Sequence, residues 1–156
     1  MSRAFTKEPD ADAPIELPER PIGSERNIVT MRGLQLIEAA LAESRAALSN
    51  AQSQNDKMEI AKAMRDIEYW AARHASAELV EPNPETDKIR FGTRFTVQDE
   101  NDRKKSYCIV GVDEAEPSEG YLSYISPLAQ KLIGKRAGDF VETENAELLI
   151  VKVEIC

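Results

Sequence analysis

Two stretches of seven-residue apolar repeat, separated by a polar gap, limit what this chain can fold into more than any other feature. Leu34, Ile37, Leu41 and Leu48, with Ser44 holding the fourth place, follow the 3-4 spacing that lines one helix face. Thr30 stands where an N-cap belongs, and Ala39, Ala40, Ala42, Ala46 and Ala47 give strong helix propensity on the remaining faces. The pattern stops at Ser49-Asn50-Ala51-Gln52-Ser53-Gln54-Asn55, whose side chains compete for backbone hydrogen bonds. It resumes at Ile60, Met64, Ile67, Ala71 and His74. Two seams around a short polar break predict an antiparallel helical hairpin, a coiled coil folded back on itself.

Glu81-Pro82-Asn83-Pro84-Glu85 ends the hairpin, because closely spaced prolines cannot continue a helical ladder. Beyond it the apolar period falls to two, at Phe95 and Val97, Tyr107 and Ile109, Leu122 and Tyr124, then Leu149, Val151, Val153 and Ile155. These are half-buried strands. One short helix is expected among them, capped by Ser126, started by Pro127 and closed after Ile133 by Gly134. Before the hairpin, residues 1–27 hold Pro9, Pro14, Pro18 and Pro21 among alternating charges, a composition expected to stay disordered or loosely draped. The reading is therefore an α+β chain with three parts: a tail over 1–27, a helical hairpin over 28–81 and a small antiparallel β domain over 82–156.

Charge and composition then narrow the function. Asp plus Glu is 28 against 20 for Lys plus Arg, a net −8 that repels a phosphate backbone, so autonomous nucleic-acid binding is not expected. Contact with nucleic acid would be delegated to a partner that already holds it. His74 is the only histidine, leaving almost no material for a zinc site or a Ser-His-Asp relay. Cys108 and Cys156 show no Cys-x-x-Cys spacing and read as reduced, non-ligand thiols. No apolar run approaches the length of a membrane span, and Met1-Ser2-Arg3-Ala4-Phe5-Thr6-Lys7-Glu8 lacks the apolar stretch of a signal peptide. A cytoplasmic protein without a membrane partner is expected.

The β half also carries an ordered string of motifs. Phe91-Gly92, then Tyr107-Cys108-Ile109-Val110-Gly111-Val112-Asp113-Glu114-Ala115, then Ile125-Ser126-Pro127-Leu128-Ala129 are followed by Leu132-Ile133-Gly134-Lys135, Gly138-Asp139 and Val151-Lys152-Val153-Glu154. This string resembles the C-terminal domain of the GreA/GreB transcription elongation factors, and Thr30-Met31-Arg32-Gly33-Leu34 is similar to the start of their coiled coil. The resemblance implies an FKBP-like C-terminal domain and, as partner, bacterial RNA polymerase, bound by a monomer. In that family the hairpin enters the polymerase secondary channel and the C-terminal domain grips its rim.

Cleavage-active members carry an Asp-x-x-Glu pair at the hairpin tip that helps hold a second Mg²⁺ at the polymerase active site. Asp56-Lys57-Met58-Glu59 has that spacing, so the resemblance implies Asp56 and Glu59 as candidate catalytic residues, with no cofactor of the chain's own and at most a Mg²⁺ shared with the polymerase. The residues also read as helix furniture, Asp56 as a cap and Glu59 as a first-turn acid, and this second role is favoured. The family tip continues with an Asn-Ala-Glu-Tyr-like run where this chain has Ile60-Ala61-Lys62-Ala63. The arms are also shorter than in cleavage-active members, by roughly two turns each, or about 10–12 Å of reach.

Ser126, Pro127, Leu128 and Ala129 correspond to the polymerase-gripping loop, and they serve equally as a helix cap and core anchor. Ile125 stands where the family is often polar. Asp113-Glu114-Ala115-Glu116 reads as a solvated turn, as does Arg103-Lys104-Lys105. Tyr69 and Trp70 are expected to cover the hairpin base against the β domain, and His74 to be a packing residue. The leading expectation is an elongation factor acting through the secondary channel, more regulator than enzyme. The alternatives are a non-cleaving, Rnk-like regulator competing with other channel factors and, from the FKBP-like fold, a peptidyl-prolyl isomerase. The isomerase needs an aromatic-lined pocket, for which Phe91, Phe95, Tyr107, Tyr121, Tyr124 and Phe140 show no pattern.

Overall fold

The computed structural model describes residues 13–156. The first part of the expected tail, residues 1–12, lies outside the described residues. From residue 13 the chain runs without regular structure along the second hairpin helix, where the Arg20 guanidinium lies 3.9 Å from the Tyr69 ring centroid and 3.1 Å from Asp66.

The hairpin consists of α1 (Met31–Ser53) and α2 (Lys57–Ser76). Thr30 caps α1, its hydroxyl accepting from the Gly33 amide at 3.0 Å. Ile37, Leu41 and Ser44 are buried along the predicted seam. The polar stretch expected to break the helix does not do so. Helix α1 continues to Ser53 and the turn is confined to residues 54–56, with Asn55 at φ 51°. Adding a residue to an existing helix costs little even for Ser, Asn or Gln, and Ala51 is buried there with its carbonyl accepting from the Asp56 amide.

On α2 the fully buried residues are Ala61, Ala63 and Arg73, whereas Met64 is 52% exposed. His74 is exposed with Nε2 3.3 Å from Glu38, so the expected seam is displaced at both positions. Two helices alone bury only a narrow strip, and at its base α2 turns toward the β domain, which selects Arg73 instead of His74. Strands β1 (Ile28–Val29) and β2 (Glu78–Leu79) pair in parallel and close the hairpin base.

The β domain is one five-stranded sheet made of β3 (Thr93–Gln98), β4 (Lys104–Val110), β5 (Tyr121–Ser123), β6 (Phe140–Glu142) and β7 (Glu147–Ile155), in the order β5-β4-β3-β7-β6. All pairings are antiparallel except β4 with β5. The expected α+β architecture is the one adopted. Helix α3 (Pro127–Leu132) closes the core with Ala129 and Leu132, packed in one cluster with Ile89, Phe95, Ile109 and Ile150. All six are fully buried, and truncating Phe95 to Ala would cost about 3–5 kcal/mol.

Period two misplaces β7. Thr96 pairs with Lys152 but Val97 pairs with Ile150, a bulge that inserts Val151 and reverses the strand's phase. Ile150 is therefore fully buried in place of Leu149 or Val151, with Leu148 against the core on the same side.

The reading of Cys108 and Cys156 as reduced thiols is corrected by the structure. Their sulfurs are bonded, with Cα atoms 6.0 Å apart across a sequence separation of 48. Strands β4 and β7 flank β3, and strands two places apart normally lie about 9.6 Å from one another. They converge at the start of β3, where Cys108 stands opposite Arg94 and where the Gly92 amide donates to the Ile109 carbonyl and its carbonyl accepts from the Cys156 amide. Sequence spacing carries no trace of this convergence. Among the described residues no helix is long and apolar enough to cross a membrane.

Candidate functional site

Three places hold the candidate residues: the hairpin tip, the hairpin base and the start of α3. At the tip, Asp56 is the N-cap of α2 and its Oδ1 accepts from the Glu59 amide at 3.2 Å. Glu59 sits in the first turn with Oε1 3.2 Å from Lys62 Nζ. Both carboxylates are exposed, and each is engaged within its own helix start. No group of three or more His, Cys, Asp or Glu side chains among the described residues is arranged to hold a metal ion. Two exposed carboxylates, one capping and one ion-paired, do not fit a Mg²⁺ held by this chain alone.

The base is built differently. Asp113 and Glu114 lie in a single 3-10 turn (Val112–Glu114), and their side chains are 6% and 2% exposed. The expectation of a solvated turn is thus overturned. Asp113 accepts from Arg73 Nε at 2.5 Å and from the Tyr69 hydroxyl, while Arg73 Nη2 reaches Asn27 Oδ1 at 2.7 Å. Asn27 returns a bond from Nδ2 to the Arg73 carbonyl at 2.8 Å. Glu114 accepts from the Thr30 hydroxyl at 2.6 Å and from Arg32 Nη1 at 3.0 Å.

One short turn of the β domain therefore holds the start of α1 with one carboxylate and the end of α2 with the other. Gly111 lets the turn approach closely, because a Cβ there would lie 2.5 Å from the Ile28 carbonyl oxygen. A Cβ on Gly33 would meet Glu114 Oε2 at 2.7 Å. Burial and the Asp113 carboxylate together push the Tyr69 phenol up to about 12.

Tyr69 occupies the place expected for it. Trp70 meets the Tyr69 ring edge-on at 4.9 Å and otherwise lines the groove between the two helices, with Ala40, Ser44 and Ala63. Sequence reasoning missed Asn27 and Arg73. The available signal was helical: Arg73 follows Tyr69 by four residues, which puts both on one face of α2.

At the start of α3, Ser126 caps the helix, its Oγ accepting from the Ala129 amide at 3.3 Å. Pro127 is exposed and Leu128 half-buried, whereas Ala129 is fully buried and takes no part in a surface. Of the four residues, the first three can meet a partner and the fourth anchors the helix in the core. Ile125 and Ile133 at either end of α3 are 37% and 38% exposed.

Comparison with known proteins places this arrangement. The transcription elongation factor GreB of Yersinia pestis is 30% identical over 153 residues, covering 85% of this chain and 90% of that protein. The chain belongs to the GreA/GreB family. GreA of Brucella anthropi is 34% identical over 145 residues, covering 81% of the chain and 87% of that protein. The family model described as the C-terminal region of the GreA/GreB transcription elongation factors matches residues 83–156. Among solved structures, GreA factor homolog 1 of Thermus thermophilus aligns with 83% of this chain and 99% of its own at 19% identity, with a TM-score of 0.40.

In this Gre-family chain Gly111, Asp113 and Glu114 supply the β-domain side of the hairpin lock just described. The aromatic residues of the β domain are used for packing. Phe91 meets Tyr124 edge-on at 5.9 Å, Phe95 lies 5.7 Å from Tyr107, and Tyr121 lies under Arg32.

Proposed function

We propose that this transcription elongation factor binds bacterial RNA polymerase as a monomer and regulates elongation through the secondary channel. It does so without strongly stimulating transcript cleavage, and it competes with factors that do. The observation that carries this reading is the asymmetry of the hairpin. Its base is tied to the β domain through the buried carboxylates of Asp113 and Glu114, while its tip carboxylates serve the helix start.

A locked base makes the hairpin a fixed probe, so tip position follows from where the β domain docks. At 1.5 Å per residue the 23 residues of α1 and 20 residues of α2 reach about 34 Å and about 30 Å. Carboxylates assist phosphodiester hydrolysis only within about 2 Å of the metal they share. Arms shorter by roughly two turns than those of cleavage-active members leave Asp56 and Glu59 about 10 Å short. The β domain, residues 82–156, would carry most of the affinity, with Ser126, Pro127 and Leu128 at the contact. No metal of the chain's own is invoked, and nucleic acid stays in the grip of the polymerase.

Two measurements test the reading. With the full chain, Ser126→Ala combined with Pro127→Ala should weaken binding to core polymerase at least tenfold, about 1.4 kcal/mol, while circular dichroism shows the fold intact. Unchanged affinity in the folded double variant moves the interface elsewhere. In a cleavage assay on a backtracked polymerase complex, the native chain should yield little cleavage and should suppress that caused by an active Gre factor. Robust cleavage that disappears in the Asp56→Ala, Glu59→Ala variant would overturn the non-cleaving assignment.

A further inference from the structure

The disulfide between Cys108 and Cys156 belongs to neither the hairpin lock nor the α3 surface. It forms part of the wall of a cavity of about 260 Å³ at the hairpin base, shared with Met31, Arg32, Glu114 and Tyr121. Its two halves differ in access: Cys108 is 2% exposed, whereas Cys156 is exposed. Tyr121 is the β5 partner of Cys108 and lies under the Arg32 guanidinium, 3.9 Å from its ring centroid. Arg32 in turn holds Glu114. A short chain of contacts thus connects the sulfur pair to the seat of α1.

Transcription proceeds among reducing thiols, where protein disulfides are transient redox devices more often than permanent staples. A bridge between an exposed cysteine and a buried one, opening on a cavity, suits that use, because exchange depends on access to the bond. We propose that Cys108 and Cys156 form a reversible thiol-disulfide switch, exchanging with low-molecular-weight thiols, that sets how firmly the hairpin is seated.

In the reducing direction a thiolate attacks Cys156 Sγ. The protein S–S bond breaks, its electron pair leaves on Cys108 Sγ, which takes up a proton, and Cys156 carries the thiol as a mixed disulfide. A second thiolate attacks the sulfur of that bound thiol. Cys156 leaves as a thiolate and is protonated, and the two reductant thiols end as one disulfide. Two electrons and two protons have passed to the protein, and oxidation by the reductant's disulfide reverses the same steps. Reduction removes the covalent tie between Cys156 and β4. The cavity wall beside Tyr121 and Arg32 then loses its covalent tie.

The test uses the full chain in buffers of reduced and oxidised glutathione, quenched with an alkylating reagent and weighed by mass spectrometry. The protein should pass from no alkyl groups to two in one reversible, two-electron transition. In parallel, the Gly33 and Leu34 amides, which bond to Thr30 at the seat of α1, should exchange with deuterium about tenfold faster in the reduced form. Amides in the middle of the hairpin should not change. The Cys156→Ser variant should show the faster exchange even in oxidised glutathione. Two alkyl groups at every glutathione ratio would overturn the proposal. So would a transition that leaves Gly33 and Leu34 unaffected, or a Cys156→Ser variant that keeps the oxidised protection.

Discussion

The chain has two acidic pairs at opposite ends of one hairpin, and they behave in opposite ways. Asp56 and Glu59 at the tip are exposed and bond within their own helix. Asp113 and Glu114 at the base are almost wholly buried and bond across the junction to Arg73, Tyr69, Thr30 and Arg32. Solvent screens the first pair, so each carboxylate there is worth only what a cap or a surface ion pair is worth. The second pair has surrendered its hydration, and its energy depends on every partner staying in place. A carboxylate's weight in this molecule follows from what surrounds it, not from its motif.

The sharpest way to break the comparison is at the base. Arg73→Ala leaves Asp113 buried without its cation and should lower stability in urea unfolding by about 3–5 kcal/mol. Replacing both partners, Arg73→Met with Asp113→Leu, should recover part of that loss, because no charge is then stranded while the Tyr69 hydroxyl and Asn27 Oδ1 each lose a partner. A loss below about 1 kcal/mol for the single variant would mean that the junction is wetter than its 6% exposures indicate.

A smaller effect is expected at Tyr69, whose phenol is a donor to Asp113. Tyr69→Phe should cost about 1.5 kcal/mol near neutral pH, the range for a hydrogen bond to a charged group. Its pH signature has a definite sign. The folded chain holds this proton more tightly than the unfolded chain does, so its contribution is complete below about pH 10 and is lost as pH rises toward about 12. Stability measured across that window should fall for the native chain and fall less for Tyr69→Phe. Equal slopes would remove Tyr69 from the lock.

The tip should respond least. Asp56→Ala is expected to cost about 1 kcal/mol as a lost cap, and Glu59→Ala no more than about 0.5 kcal/mol. Thermal melts of the two single variants would sharpen the contrast with Arg73→Ala. A tip effect equal to the base effect would end it.

Much of this was legible from one dimension. Heptad spacing with Thr30 ahead of it specified α1, and the Ser126-Pro127 pair specified α3, because caps and periodicity act within a few residues. The motif string identified the family, which the match over 83–156 bears out. Strand β6 went unseen, since its three residues, Phe140–Glu142, are too few to show a period. The bulge at Thr96 and Val97 hid the true inward face of β7 for a related reason: one inserted residue reverses the alternation, and only the paired strand reveals it.

What the sequence by itself determined is the set of local elements, their order and the kinship of the chain. These rest on interactions a few residues long or on a string of motifs read in order. What only the tertiary structure decided is which charges matter and which thiols meet. Asp113 and Arg73 are 40 residues apart, and Cys108 and Cys156 are 48 apart. Burial of a charge depends on every surface packed around it. The dielectric that makes the base carboxylates consequential, and the tip carboxylates ordinary, therefore exists only once the hairpin and the sheet are in contact.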